Sequence, residues 1–428
     1  MKELIIKKWN GQEEQEPVRV AQVIDEMQDP FARQKLVSWW DQDNIENAYV
    51  LVMGAGAIGN ETLHDLALLG FRHIYICDMD TIELSNLSRT VLFRRSDEGR
   101  FKAEVAAERT REMCLCRDPQ VDHFCGDIMY GLGSGIFRHF DIVLGCLDND
   151  ATRFYIDRNC TRFGKPWINA GISELSAGLQ LIYTKKTGVC FHCGESPEVI
   201  ARVMSRKASC GKTAIADLQG GKIPTVQVAS AIVAGLQTQE TVKHVCGKQV
   251  EWGTSYYFQG TKNTLECARP RHDTLCLHND IQPAEQVIEM RECTSAMTME
   301  DFLAAVKKRI GRSVTVDLGE EQGRDFIYSA YCTCCGSEVA VNVPRFRFRD
   351  EMARCADCKG AEEESEPIVN STTSYSEASD PSLLCRTLEE LGIPPLHVLT
   401  VFDEDDNLYE VELSGDLPRV APHNFGGV

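Results

Sequence analysis

The apolar positions of this chain switch between two periodicities along its first half. Residues 17–47 place Val20, Val23, Ile24 and Met27, then Leu36, Val37 and Trp40, three and four apart, which predicts an amphipathic helical segment. Tyr49 to Met53 is a short continuous apolar run and reads as a strand. It turns through glycines into a helix carrying Leu63, Leu66, Ala67 and Leu69, and HIYICDMD follows as a second strand. FDIVLGCLDN and KPWINAG are further apolar segments that end in polar residues. This strand–helix alternation predicts a doubly wound α/β domain. Its binding site is expected at the carboxyl ends of the strands.

After Tyr183 the periodicity lapses. Residues 185–223 hold Cys190, Cys193 and the basic stretch SRKASCGKTAIADLQGGK, and Pro224 then opens a helix, PTVQVASAIVAGLQTQETVKH. Residues 298–360 read as a smaller unit, with a helix near MEDFLAAVKKRI, two strands and a cysteine-rich piece. The Ser/Glu/Thr-rich run 361–384 is expected to be a flexible linker. LHVLTVFDEDDNLYEVELSG predicts a terminal β-hairpin. The domain boundaries follow: an N-terminal helical segment at 1–48, a domain at 49–280 and a C-terminal α+β unit at 281–428.

Composition narrows the function. The chain has 428 residues, 43% of them hydrophobic and 25% charged, with a net charge of −19. That balance argues against a nucleic-acid or anionic-membrane surface, where clustered Lys and Arg are expected. No apolar run approaches the roughly 18 residues of a membrane span, and MKELIIKKWNGQEEQE lacks the apolar core of a secretory signal. A cytoplasmic enzyme is the expectation. Nineteen cysteines, several in C-x-x-C pairs, read as reduced thiols and metal ligands rather than structural bridges.

Gly54, Gly56 and Gly59 form G-x-G-x-x-G between a strand and a helix, where free N–H groups can face a phosphate. The motif alone serves dinucleotide and ATP sites alike, and Asp78 at the end of the second strand suits a ribose hydroxyl in either. The next stretch, CDMDTIELSNLSRTVLF, groups Asp78, Asp80, Asn86 and Arg89, with Lys102 and Asp148 further on. Two cations, an amide and carboxylates suit a magnesium-bound triphosphate, with the cations on phosphate oxygens and a carboxylate on Mg²⁺. Composition leaves open a plainer reading, with Arg89 and Lys102 as surface charges and Asp148 as a helix cap.

GAGAIGNETLHDLALLG, DMDTIELSNLSR, GRFKAE and LDN-x-x-x-R, in this order and spacing across roughly residues 30–250, closely resemble the ThiF/MoeB/HesA and ubiquitin-activating enzyme superfamily. The resemblance implies a Rossmann-like adenylation domain with a crossover loop at about 195–223. It implies Mg-ATP as ligand and adenylation of the C-terminal glycine of a ubiquitin-like protein. On it, Asp78 contacts the ribose, Asn86, Arg89 and Lys102 hold phosphates, and Asp148 binds Mg²⁺. The RQ of FARQKLV resembles the superfamily's R-Q motif, so Arg33 reaches the triphosphate across a dimer interface and a homodimer is implied.

Cys210 lies in SRKASCGK beside Arg206, Lys207 and Lys212, cations that lower a thiol's pKa. The loop resembles that of activating enzymes whose cysteine, placed before a similar helix, takes the modifier as a thioester. The gap between Cys210 and Pro224 is longer here than in those enzymes. An idle loop cysteine is the plain alternative. Cys77, Cys146 and Cys160 fall in apolar segments and read as core.

Cys332, Cys335, Cys355 and Cys358 form two C-x-x-C knuckles, the pattern of a zinc ribbon (332–358) with a closed, structural tetrathiolate site. Cys334 fits the spacing less well. Cys190 and Cys193 resemble the superfamily's first zinc knuckle, with Cys276 and His278 as the chosen partners and Cys267 or Cys293 as substitutes. A redox pair at Cys190 and Cys193 is the plain alternative.

Two subclasses follow from the resemblance. One forms a thioester and hands the modifier to a conjugating enzyme; the other, MoeB- or ThiF-like, activates a sulfur carrier without an obligatory thioester. The basic cysteine loop and the added C-terminal unit favour the first, and the compact chain looks like stand-alone enzymes of bacterial ubiquitin-like conjugation operons. A nicotinamide oxidoreductase leaves Arg89, Lys102 and Cys210 without roles, and a zinc scaffold explains the ribbon alone.

Overall fold

The computed structural model describes residues 3–7, 13–17, 29–194, 225–273, 276, 279, 281–319, 323–358 and 367–425. Strands β1 (Glu3–Lys7) and β2 (Glu13–Pro17) pair antiparallel as a hairpin. Of the helical pattern anticipated over residues 17–47, Val20, Val23, Ile24 and Met27 lie outside the described residues, and the part from residue 29 on is corrected. Among the described residues it contains only a 3-10 turn, Gln34–Leu36, and the short helix α1 (Gln42–Asn47). Val37 is extended, and the Asp41 carboxylate caps α1 by accepting from the Asn44 amide, so a new element starts where the periodicity runs on.

The main sheet has eight strands. β3 (Tyr49–Met53), β4 (His73–Asp78), β5 (Gln120–Cys125), β6 (Ile142–Gly145) and β7 (Trp167–Ser173) are parallel; β8 (Ser176–Ile182), β9 (Thr254–Gln259) and β10 (Thr264–Ala268) extend the sheet antiparallel. The order is β10-β9-β8-β7-β6-β3-β4-β5, so the winding reverses between β3 and β6.

Both faces of the sheet are covered, which is why β3, β4 and β6 read as nearly continuous apolar runs, while the edge strand β5 does not. On one face Val50, Val52, Ile74, Ile76, Ile142 and Leu144 pack with α2 (Ala57–Leu69), α3 (Lys102–Met113) and a long later helix, Gln227–Val245. On the other, Leu51, Met53, Tyr75 and Val143 pack with the turn Ser134–His139 and residues of α5 (Asp150–Arg162), the helix that follows the short α4 (Ile128–Gly131). Alternate side chains of one strand thus serve two cores.

Two smaller units follow. A five-stranded sheet, β11-β18-β17-β12-β16, is built from β11 (Val287–Glu289), β12 (Val314–Asp317), β16 (Ser374–Tyr375), β17 (Val398–Asp403) and β18 (Leu408–Glu412), and its core includes the helix Met299–Ile310. Between β12 and β16 the chain makes a separate three-stranded sheet from β13 (Phe326–Tyr331), β14 (Glu338–Pro344) and β15 (Val369–Thr372). The expected linker at 361–384 is corrected on this point. Residues 361–366 lie outside the described residues, whereas β15 pairs with β13 and Tyr375 is fully buried. Polar composition misleads there because a strand that borrows a ladder from β13 needs few apolar side chains of its own.

The C-terminal segment closes against the main sheet. Leu396, Leu417, Val420, Ala421 and Phe425 join the second core, and Phe425 stacks on Tyr49 with ring centroids 5.3 Å apart. Buried Asp122 of β5 accepts from the Asn424 amide at 2.9 Å and the His423 amide at 3.0 Å. Glu412, with 0% exposure, accepts from Arg138, from His139 Nε2 at 2.9 Å and from Ser414 Oγ at 3.0 Å.

Burial pushes the Glu412 carboxyl up, but the His139 bond and the Arg138 charge outweigh it and leave it below the usual glutamate value. A depressed carboxyl stabilises the fold above the unfolded-state value of about 4.3, and that contribution is lost as pH falls through the folded-state value. Glu412→Gln leaves Arg138 and His139 beside a neutral partner. It is expected to lower stability by about 3 kcal/mol near neutral pH, read from urea melts, with the gap to the parent closing as pH drops below about 4.

Candidate functional site

The reversal between β3 and β6 opens a crevice at the carboxyl ends of both strands. Gly54 leaves β3 with φ +99°, donates to the Cys77 carbonyl at 2.7 Å, and lies so close to the Cys146 carbonyl that an added Cβ would stand 2.6 Å from it. A Cβ on Gly59 would stand 2.0 Å from the Gly54 carbonyl. These two glycines are required by backbone approach. Gly56 differs: it precedes α2 as its N-cap, and an added Cβ would meet nothing within 4 Å. The open side of the loop is therefore at Gly56, ahead of the first turn of a thirteen-residue helix whose amides favour an anion.

Asn60, fully buried in the first turn of α2, holds this loop. Its Nδ2 donates to the Ala55 carbonyl at 2.7 Å and the Gly56 carbonyl at 3.1 Å, and its Oδ1 accepts from the Leu92 amide at 3.0 Å. Sequence reasoning missed it. The signal was a carboxamide directly after the third glycine, on a helix face otherwise apolar.

Asp78 ends β4 with its carboxylate accepting from the Ala55 amide at 2.7 Å and the Asp80 amide at 2.8 Å. It thereby fastens the glycine loop to the end of the second strand. Burial pushes its carboxyl up, against the pull of Lys102 and the two amides. From Asp78 the chain runs out and back, Thr81 bridging to Phe101, and returns to α3 with Lys102. Lys102 Nζ reaches Asp80 Oδ2 at 2.7 Å. Asn86 is buried, and its Oδ1 takes the Glu83 amide at 3.0 Å, which leaves Nδ2 as the group available to a ligand. Arg89, half-buried, donates to the Ser85 carbonyl at 2.8 Å.

Across the crevice Asp148 lies exposed in the loop between β6 and α5. It is not the helix cap: Asn149 fills that role, its Oδ1 accepting from the Ala151 and Thr152 amides. Arg153, the arginine of LDN-x-x-x-R, shapes the loop by donating to the Leu147 carbonyl and pairing with Asp150 at 3.3 Å. Buried Gln237 ties α2 to the sheet beneath, accepting from Thr62 at 2.9 Å and donating to the Ile168 carbonyl at 2.8 Å. Arg33 is exposed in the turn before Gln34–Leu36, away from the crevice residues in sequence and element. Cys210 and His278 lie outside the described residues.

Two thiol clusters have the character of metal sites. Cys190, Cys193 and Cys276 bring their sulfurs within 4.8 Å of one another, with Cys190 Sγ 3.6 Å from Cys193 Sγ and 3.2 Å from Cys276 Sγ. Cys267 is exposed on β10 and Cys293 is buried in the core of the C-terminal unit, so neither belongs to this cluster. Beneath it Asp157, fully buried, accepts from the Phe191 amide at 3.0 Å and from Trp167 Nε1 at 2.9 Å. Cys332, Cys335, Cys355 and Cys358 form the second cluster, again with all sulfurs within 4.8 Å. Amides of Cys355, Cys335 and Cys334 turn toward Cys332 and hold its thiol down at about 6. Gly336 (φ +71°) donates to the Cys332 carbonyl at 2.8 Å and closes the knuckle. Four thiolates at this separation fit tetrahedral Zn²⁺. Cys77, Cys146 and Cys160 are core residues whose thiols burial pushes up, Cys146 to about 12.

Asn60→Ala removes three hydrogen bonds and takes the side-chain partner from the Ala55 carbonyl and the Leu92 amide, while the Gly56 carbonyl keeps the amide of residue 60 at 2.9 Å. It is expected to lower stability by about 2–4 kcal/mol, read as a fall in the urea midpoint.

The ThiF family profile matches residues 31–278. The SUMO-activating enzyme subunit uba-2 of Caenorhabditis elegans is 35% identical over 163 residues, covering 37% of this chain and 27% of that protein. Ubiquitin-like modifier-activating enzyme 5 of Dictyostelium discoideum is 29% identical over 221 residues, covering 47% of this chain and 54% of that protein. The chain thus spans between about a quarter and about half the length of these relatives. A crystal structure of E. coli MccB with ATP aligns with a TM-score of 0.47 and 20% identity, covering 59% of this chain and 74% of that one. The family match takes in more than half of the chain, runs from the turn before α1 past the first thiol cluster, and includes every residue of the crevice: the chain belongs to the ThiF family.

Proposed function

We propose that this chain activates a ubiquitin-like protein. It adenylates the modifier's C-terminal glycine with ATP, takes the acyl group onto Cys210 as a thioester, and hands it to a conjugating enzyme. The observation that carries the reading is the meeting of three loops at one crevice: the glycine loop opening at Gly56, the Asp78–Lys102 excursion with its cations, and the exposed carboxylate of Asp148. The relatives named as activating enzymes support it.

A C-terminal carboxylate is ionised at neutral pH, so the first step asks for no general base. Its oxygen attacks the α-phosphorus and pyrophosphate leaves with the bonding pair. The difficulty is anion against anion. Lys102 and Arg89 offset the phosphate charge from one side, Asn86 Nδ2 and the first amides of α2 donate to phosphate oxygens, and Asp78 stays available to ribose hydroxyls. Asp148 would hold Mg²⁺, which when bound screens the triphosphate and the departing pyrophosphate. Held in register, the reactants need little more than positioning. The Cys210 thiolate then attacks the acyl carbon and AMP leaves. Cations at Arg206, Lys207 and Lys212 favour that thiolate.

The chain acts as a homodimer in this reading, with Arg33 serving the partner's triphosphate. Support comes from the exposed apolar surface around it, where Leu36 (41% exposed), Val37 (40%) and Leu68 (40%) are near Trp39 and Trp40. Zn²⁺ is held at Cys332, Cys335, Cys355 and Cys358, and a second ion at Cys190, Cys193 and Cys276 with His278. Both are structural. Among the described residues no helix is long and apolar enough to cross a membrane.

Asp148→Asn is expected to lower ATP–pyrophosphate exchange with a glycine-ended modifier by about 10²-fold or more. Cys210→Ala keeps exchange but loses the thiol-sensitive adduct on a non-reducing gel. Exchange with no adduct in the parent chain would point instead to sulfur-carrier activation without a thioester. Cys335→Ser is expected to remove one equivalent of bound zinc by elemental analysis and to leave the other.

A further inference from the structure

Cys114 and Cys116 flank Leu115 just past the end of α3, and neither belongs to the two thiol clusters. Cys114 is the C-cap of the helix; its backbone is extended there (φ −62°, ψ 128°), and the extended stretch sends residues two apart to the same side. Leu115, pointing the other way, is 44% exposed. The two sulfurs stand 3.0 Å apart, inside the contact distance of two sulfur atoms. Backbone bonds fix the start of the stretch: the Cys114 amide donates to the Thr110 carbonyl at 2.9 Å and the Leu115 amide to the Ala67 carbonyl at 3.4 Å. Asp118, in the left-handed region at φ 54°, then turns the chain into β5.

We propose that Cys114 and Cys116 are a redox-active dithiol, a modification site that a small disulfide such as oxidised glutathione converts to an intramolecular disulfide. The site is independent of the activation reaction.

Access is unequal, which orders the steps. Cys114 is half-buried and Cys116 is 8% exposed, so Cys114 meets the oxidant first. The Cys116 thiol, donating to Cys114 Sγ, holds the Cys114 thiol down at about 7 and is itself pushed up. The Cys114 thiolate attacks one sulfur of the oxidant, whose S–S bond breaks to release one glutathione thiolate. Cys116 loses its proton to solvent and attacks Cys114 Sγ, expelling the second glutathione. Two thiols are oxidised and one disulfide is reduced. The protein sulfurs close by only about 1 Å to reach bonding distance.

The tryptic peptide Glu112–Arg117 (EMCLCR) contains these two cysteines and no others, so the site can be read directly. The full chain is incubated with oxidised glutathione, quenched in acid, alkylated, digested and weighed. The peptide is expected to lose both alkylation sites and to appear lighter than the dithiol by a pair of hydrogens. Conversion in the folded chain should be faster than in urea, because the fold holds the two sulfurs in contact and favours the Cys114 thiolate. In Cys116→Ala the glutathione should remain on Cys114. A peptide that stays a dithiol, carries glutathione on both sulfurs, or converts equally fast in urea would overturn the proposal. So would an unmodified Cys114 in the variant.

Discussion

The end of β3 and the end of β6 approach until backbone touches backbone, and the chemistry of the crevice depends on that contact. Gly54 sits against the Cys146 carbonyl, and Gly59 against the Gly54 carbonyl, at distances no side chain tolerates. The close approach has two effects. It tightens the turn so that α2 begins at once, presenting its first amides to the crevice. It also brings the loop carrying Asp148 level with the loop carrying Gly56. Asn60 and Asp78 then fasten the turn from below and from the side, through five hydrogen bonds to backbone groups. A crevice lined by backbone is only as well defined as that backbone is rigid, and here the rigidity comes from buried polar side chains rather than from packing alone.

The opposite face of the sheet solves a different problem. In many two-layer arrangements helices would cover it; here part of the cover comes from the end of the chain. The C-terminal segment reaches β5 through Asp122 and stacks Phe425 on Tyr49, while Glu412 and Glu410 of β18 meet Arg138, His139 and Arg162. Buried carboxylates are costly unless paired, and each of these is paired. Arg324, 2% exposed, spans the inserted unit and the main domain by donating to the carbonyls of Gly392 and Met129. The C-terminal residues are therefore part of the domain that holds the crevice, not an appendage to it.

Strands β3, β4, β6 and β7 were legible because they are largely apolar and their turns are marked by glycine and aspartate, whereas β5 (QVDHFC) and β8 (SAGLQLI) mix polar and apolar positions and were not read. The crevice was legible for the same reason, since G-x-G-x-x-G and the charged excursion announce their position. Three further things were not. In the helical spacing of Leu36, Val37 and Trp40 the first two are exposed while Trp40 packs on the first core, and Asp41 resets the chain by capping. The polar run at 369–375 forms two strands because β13 supplies partners for β15 and β12 for β16, a fact written at residues 326–330 and 316–317. Asn60 and Gln237 act by burial, and burial is a property of the folded chain. Motif reading finds groups that face a ligand; it passes over those that hold the ligand-facing groups still.

The cysteines make the same point within one residue type. Cys77, Cys146 and Cys160 sit in apolar surroundings that favour the neutral thiol, so their sulfurs pack and do not react. Cys332 is turned the other way by amides aimed at its sulfur, the environment that readies a thiolate for a cation. Cys114 has neither a closed cage nor four partners. It has one neighbouring thiol in contact and a side open to solvent, which suits electron exchange better than ligation. Spacing hints at these fates, C-x-x-C for the knuckles and C-x-C for the pair, but the deciding variable is what surrounds each sulfur. A chain rich in cysteine can therefore offer surroundings suited to a cation, to packing and to electron exchange without any of its thiols being chemically special in sequence.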